Sequence, residues 1–115
     1  MNRRAGLTAG LAAAAIALAA GCASPSASPA TDRDVASYAS AARTAFDRGA
    51  LEQAAPLYLR ALKRARSLDA AAEIANQSYN LAACLIALRD YADAEACLLE
   101  ARTESQRRVT DPTDL

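Results

Sequence analysis

Histidine is absent from the 115 residues of this chain, and so is tryptophan. The first absence removes Ser-His-Asp and Cys-His catalysis and every His-ligated metal site. Aromatic residues make up only 4% of the chain, and β-branched residues other than threonine are few, a poor supply for sheets. Neither charge prevails. Thirteen basic residues balance thirteen acidic ones, so no strong field steers the chain toward nucleic acid. Of the four glycines only Gly49 lies beyond residue 22. The one long uncharged run, Leu7 to Ala20, is short and rich in alanine, which argues against an uncleaved membrane anchor. What the chain has in quantity is alanine, 33 residues of the best helix former. The composition predicts one all-α domain with closely spaced helices.

The N-terminus reads as an address. Arg3 and Arg4 precede the alanine-rich run, and small residues follow it, the pattern of a secretory signal peptide. Leu18-Ala19-Ala20-Gly21-Cys22 resembles the lipobox of bacterial lipoproteins, with the leucine one place further from the cysteine than is usual. That resemblance implies that residues 1–21 are removed as a signal peptide and that Cys22 is diacylated. Each buried methylene contributes ~0.8 kcal/mol, and two or more acyl chains hold a chain stably on a membrane. Ala23 and Ser24 follow the cysteine with no aspartate, which in lipoproteins of many Gram-negative bacteria implies the periplasmic face of the outer membrane. Losing Arg3 and Arg4 leaves 11 basic and 13 acidic residues, a net charge of −2 suited to an envelope domain. After the cysteine, "ASPSASPATDR" is small, polar and twice interrupted by proline, so residues 22–33 read as a lipidated cysteine and flexible tether.

Beyond residue 33 the pattern is helical. Leu51, Ala54, Ala55, Tyr58, Ala61, Leu62 and Ala65 recur at three-and-four spacing, with Glu52, Arg60, Lys63 and Arg64 on the opposite face. Gly49 ends the preceding helix. Asp69 and Asp90 are placed to cap the two helices that follow, with Asp93 completing a box-like arrangement in the last. Pro56 predicts a slight kink near the start of its helix. The four helices are expected near residues 33–48, 51–67, 70–88 and 91–108, leaving a tail at 109–115 that contains Pro112.

A shift of 40 residues superimposes Ala42 on Ala82, Ala54 on Ala94, Ala61 on Ala101 and Tyr58 on Leu98. With Tyr38, Ala41 and Ala45 matched to Ser78, Leu81 and Leu85, the chain resembles the tetratricopeptide repeat family over residues 35–108. It lacks that family's tryptophan, its small-pair glycine and its terminal proline. "EQAAPLYLRALKRA" is similar to the longer-spaced repeats of the kinesin light chain type. The resemblance implies two antiparallel helical hairpins over residues 34–108, a fragment of a right-handed α-solenoid. It implies that Ala42, Ala54, Tyr58, Ala61, Ala82, Ala94, Leu98 and Ala101 pack the repeats together. Such arrays bind peptides or partner helices in a groove lined by the first helix of each repeat. Here that face would comprise Ala39, Arg43, Phe46, Asn76, Tyr79, Asn80 and Ala83.

Nothing in the residue pattern demands an enzyme, a cofactor or a metal. Asp90, Asp93 and Glu100 fall at cap or solvent-face positions, where structural roles suffice. Cys84 and Cys97 could pair in an oxidising compartment, but helical phase favours buried free thiols. Arg60, Lys63, Arg64 and Arg66 form a basic cluster that reads as a solvated face, with lipid or glycan contact as the alternative. Glu95 and Arg102 replace Ala55 and Leu62 of the first copy, as a solvent-facing end of the array requires. The expected function is a lipid-anchored, non-enzymatic adaptor of the cell envelope that holds a protein or peptide partner near a membrane. A structural subunit of an envelope assembly, or an accessory or inhibitor subunit of an envelope enzyme, are the alternatives. If Cys22 is the lipid attachment point, radiolabelled palmitate enters the full chain but not its Cys22→Ser variant; labelling of the variant would refute it.

Overall fold

A computed structural model describes residues 31–110 and shows an all-α fold. The signal-peptide segment, Cys22, the tether up to residue 30 and the tail from residue 111 lie outside the described residues. The helices are α1 (Arg33–Asp47), α2 (Leu51–Ser67), α3 (Ala71–Ala87) and α4 (Tyr91–Thr110). Their bounds match the periodicity to within two residues. At the ends the sequence reading falls short, because α4 continues through Val109 and Thr110 and the fold begins before Arg33.

Asp32, assigned to the tether on composition, starts the domain. Its carboxylate accepts the backbone N–H groups of Asp34 and Val35 at 3.0 and 3.2 Å, satisfying two donors that the helix start leaves free. The same carboxylate accepts Nε and Nη2 of Arg64 at 3.2 and 3.1 Å. One side chain therefore caps α1 and ties it to the end of α2. Thr31 adds a second tie, donating its hydroxyl to Glu73 at the start of α3 at 3.2 Å.

The three inter-helix turns share one geometry, spaced 20 residues apart. Gly49, Asp69 and Arg89 each take a positive φ, of 74°, 50° and 64°. In each turn the next N–H, from Ala50, Ala70 or Asp90, reaches back to the carbonyl of Ala45, Ala65 or Leu85 at 2.8–3.1 Å. This is the six-to-one bond of a Schellman turn, which favours a left-handed residue after the helix. Asp69 fills that position and does not cap α3, contrary to the sequence expectation. The capping position falls to Ala70, which makes no side-chain cap bond. Asp90 does accept the N–H of Asp93, at 3.4 Å.

Consecutive helices pack against one another, so α1–α2 and α3–α4 form antiparallel hairpins and α2 joins them through α3. The contacts are made by alanine. Ala42, Ala54, Ala61 and Ala82 are completely buried, Ala94 is 2% exposed and Ala101 is buried as well. A methyl side chain at a crossing lets the two backbones approach, and larger residues such as Val35, Leu62 and Ile74 fill the space beside it. Leu98 is the exception among the expected packing residues. Its counterpart Tyr58 is buried, yet Leu98 is 39% exposed. The reason is position: Tyr58 lies between α1 and α3, whereas no helix follows α4 among the described residues. α2 runs through Pro56, whose ring is exposed at the surface.

Ala54→Leu or Ala94→Leu inserts three carbons into a filled crossing, at a cost of ~1–3 kcal/mol. Thermal unfolding followed by circular dichroism should show a lower Tm for each; an unchanged Tm would place these alanines away from a helix contact.

Candidate functional site

Between α1 and α3 the structure opens a shallow cleft of about 140 Å³. Arg43, Phe46 and Asp47 line it from α1, Tyr58 from α2, and Asn80 and Ala83 from α3. It exists because α2 packs on both neighbours while α1 barely touches α3. Tyr58 forms part of the wall, buried against the core, and burial pushes its phenol pKa above the ordinary value. Phe46 is 37% exposed and offers its ring at the rim. Asn80 donates an amide N–H to Gln77 over a long 3.5 Å, and Gln77 donates in turn to Glu73 at 3.4 Å. These long contacts run along α3 beside the cleft.

Four of the seven groove residues named from sequence, Arg43, Phe46, Asn80 and Ala83, are brought together here. Asn76 and Tyr79 are exposed on α3 but do not line the cleft. Asn76 lies one turn before Asn80, and Tyr79 is rotated by one residue from it around the helix. Ala39 packs against the core instead. Asp47 and Tyr58 were missed as cleft residues. Asp47 was legible, since it follows Arg43 by four residues on one face. Tyr58, a packing residue by its place in the repeat, is buried and lines the cleft as well.

The basic cluster dissolves into separate structural contacts. Arg64 pairs with Asp32. Arg66 pairs with Glu100 of α4 in a bidentate contact, donating from Nε at 2.8 Å and from Nη2. Arg60 lies 6.0 Å over the ring of Tyr38, within cation–π range. Lys63 is exposed. Arg107 bridges Glu104 and Asp69 at 2.7 and 2.8 Å, so the Asp69 carboxylate pairs with α4 rather than with the start of α3.

Cys84 is completely buried, Cys97 is partly buried, and both are free. Burial raises both thiol pKa values, which makes each a poor nucleophile at neutral pH. Among the described residues no three Cys, Asp or Glu side chains gather as a metal site. None of the described helices is long and apolar enough to cross a membrane. No family model matches the chain, and no curated protein or solved structure matches it either.

The ion pairs set an acid limit on stability. Hydrogen bonding to Arg64 lowers the Asp32 pKa, and hydrogen bonding to Arg66 lowers that of Glu100. Each carboxylate then binds its proton less readily folded than unfolded, so its contribution is complete above the ordinary values of 3.8 and 4.5. It is lost as pH falls through the lower, folded values. Asp93 runs the other way, because Asp90 beside it raises its pKa. Glu100→Gln should flatten the loss of stability below pH 4.5 and cost at most ~1 kcal/mol at neutral pH, since both partners remain partly in solvent. Denaturant titrations from pH 3 to 7 read this out, and an unaltered pH profile would deny the pair any energetic role.

Proposed function

We propose that this chain is a lipid-anchored adaptor of the cell envelope that holds a protein partner by seating an extended peptide in the α1–α3 cleft. The cleft carries the reading. Its 140 Å³ is well below the ~300 Å³ at which small-molecule pockets begin, and suits one or two peptide side chains. Its lining provides the groups that peptide recognition needs. Phe46 and Tyr58 present ring surface to an apolar side chain, and Arg43 can pair with a carboxylate. Asn80 can both donate to and accept from a peptide backbone, and Asp47 favours a cation one residue along. The 40-residue repeat, with its alanines at equivalent crossings, supports a tetratricopeptide-like domain over residues 34–108. Leu18 to Cys22 supports the lipid anchor, whose acyl chains would insert into a membrane and hold the domain near its surface.

Peptides selected from a random display library on the full chain test this directly. They should pair an acidic residue with an apolar one and lose about tenfold in affinity, roughly 1.4 kcal/mol, on Arg43→Glu or Asn80→Ala. Tyr79→Ala, outside the cleft, should leave their binding unchanged. Peptides that tolerate Arg43→Glu, or that depend on Tyr79 instead, would move the site to another face.

A further inference from the structure

Among the described residues, α1 and α4 carry outer faces of different character. On α3 the face turned toward α2 carries Ile74, Gln77, Leu81 and Cys84, all buried. Forty residues earlier, α1 has Asp34, Ser37, Ala41 and Thr44 at the equivalent positions, all exposed. Three of the four are polar, so that face needs no cover. The equivalent outer face of α4 is different. It presents Tyr91, Glu95, Leu98, Leu99, Arg102 and Gln106, all exposed, with Leu99 at 63% and Tyr91 at 62%. At 100° per residue these six fall within a stripe about a quarter of the helix wide, well away from Ala94 and Ala101, which face α3.

The order of residues along this stripe is symmetric. Leu98 and Leu99 straddle its midpoint, Glu95 and Arg102 lie at equal distances on either side, and Tyr91 and Gln106 lie at equal distances beyond them. We propose that this face binds a second copy of the chain, α4 against α4 in antiparallel order about a two-fold axis between Leu98 and Leu99. A two-fold contact requires a surface that complements itself. Here the operation brings Leu98 of one copy onto Leu99 of the other and sets Glu95 opposite Arg102 twice. It also places the Tyr91 hydroxyl within reach of the Gln106 amide. The apolar centre is covered and every charge at its rim meets its opposite. A parallel arrangement would set Glu95 beside Glu95 and Arg102 beside Arg102. Neither Glu95 nor Arg102 belongs to any ion pair of the described structure, which leaves both available for this one. One pair of helices about 30 Å long buries less than the ~1,600 Å² of a standard interface, so the dimer is concentration-dependent in solution.

Sedimentation velocity on the full chain over about a hundredfold range of concentration tests the proposal. Wild type should pass from monomer to dimer across that range, with the transition moving to higher concentration in raised salt. Glu95→Arg and Arg102→Glu should each weaken self-association at least about tenfold, because each sets like charges together. Mixing the two single variants should restore the dimer, since each then offers the other two opposite-sign pairs. Circular dichroism of each variant confirms that the helices persist. A wild type that stays monomeric throughout would overturn the proposal. So would association that survives in both single variants, or single variants that fail to combine on mixing.

Discussion

Everything in this structure depends on how closely the helices approach, and that distance is set by methyl groups. Ala42, Ala54, Ala61, Ala82, Ala94 and Ala101 occupy the crossings, and none is more than 8% exposed. A chain with so few aromatics has little else with which to fill a wide gap. Close approach solves the problem by making the gap narrow, so that Leu62, Val35, Ile74 and the Tyr58 ring suffice as filler. The same constraint explains the uniform connections. Helices held at one spacing need turns of one shape, and the chain repeats the Schellman geometry at Gly49, Asp69 and Arg89 even where no glycine is available.

The cleft is a consequence of that packing. Because α2 lies against both α1 and α3, its Tyr58 becomes the wall between them, and Arg43 and Asn80 come to opposite sides of one small opening. Rigid elements hold these groups, because each stands on a helix rather than a loop. Charge does a separate job. Asp32–Arg64 and Arg66–Glu100 join residues 32 and 34 positions apart in the sequence and occupy two of the four cations of the basic cluster.

Local information was legible in the sequence and long-range information was not. The three-and-four alternation of Leu51 through Ala65 placed α2 without error, because burial of one face is a property of the segment itself. Gly49 marked its turn for the same reason. Asp69 misled, since aspartate serves both as a cap and as a tolerable left-handed residue, and only the register of the Schellman turn decides between them. Asp32 was hidden in a stretch of tether composition, and its partner Arg64 lies a whole hairpin away. Equivalence with Tyr58 makes Leu98 a packing residue only where another helix follows, and none follows α4 among the described residues. For the groove, repeat equivalence names a helix face and not the depth of an opening, so Arg43, Phe46, Asn80 and Ala83 line the cleft while Ala39, Asn76 and Tyr79 of the same face do not.

The central claim is that alanine-spaced crossings make the four helices one cooperative body, with Leu62 and Tyr58 of α2 locking the two hairpins together. Amide hydrogen exchange of the full chain under increasing denaturant measures this most directly. The account predicts that the slowest amides of α2 and of α3, around Leu62 and Leu81, lose protection together and with the same denaturant dependence. Protection of α3 and α4 that persists after α1 and α2 have opened would show two independent hairpins and contradict it.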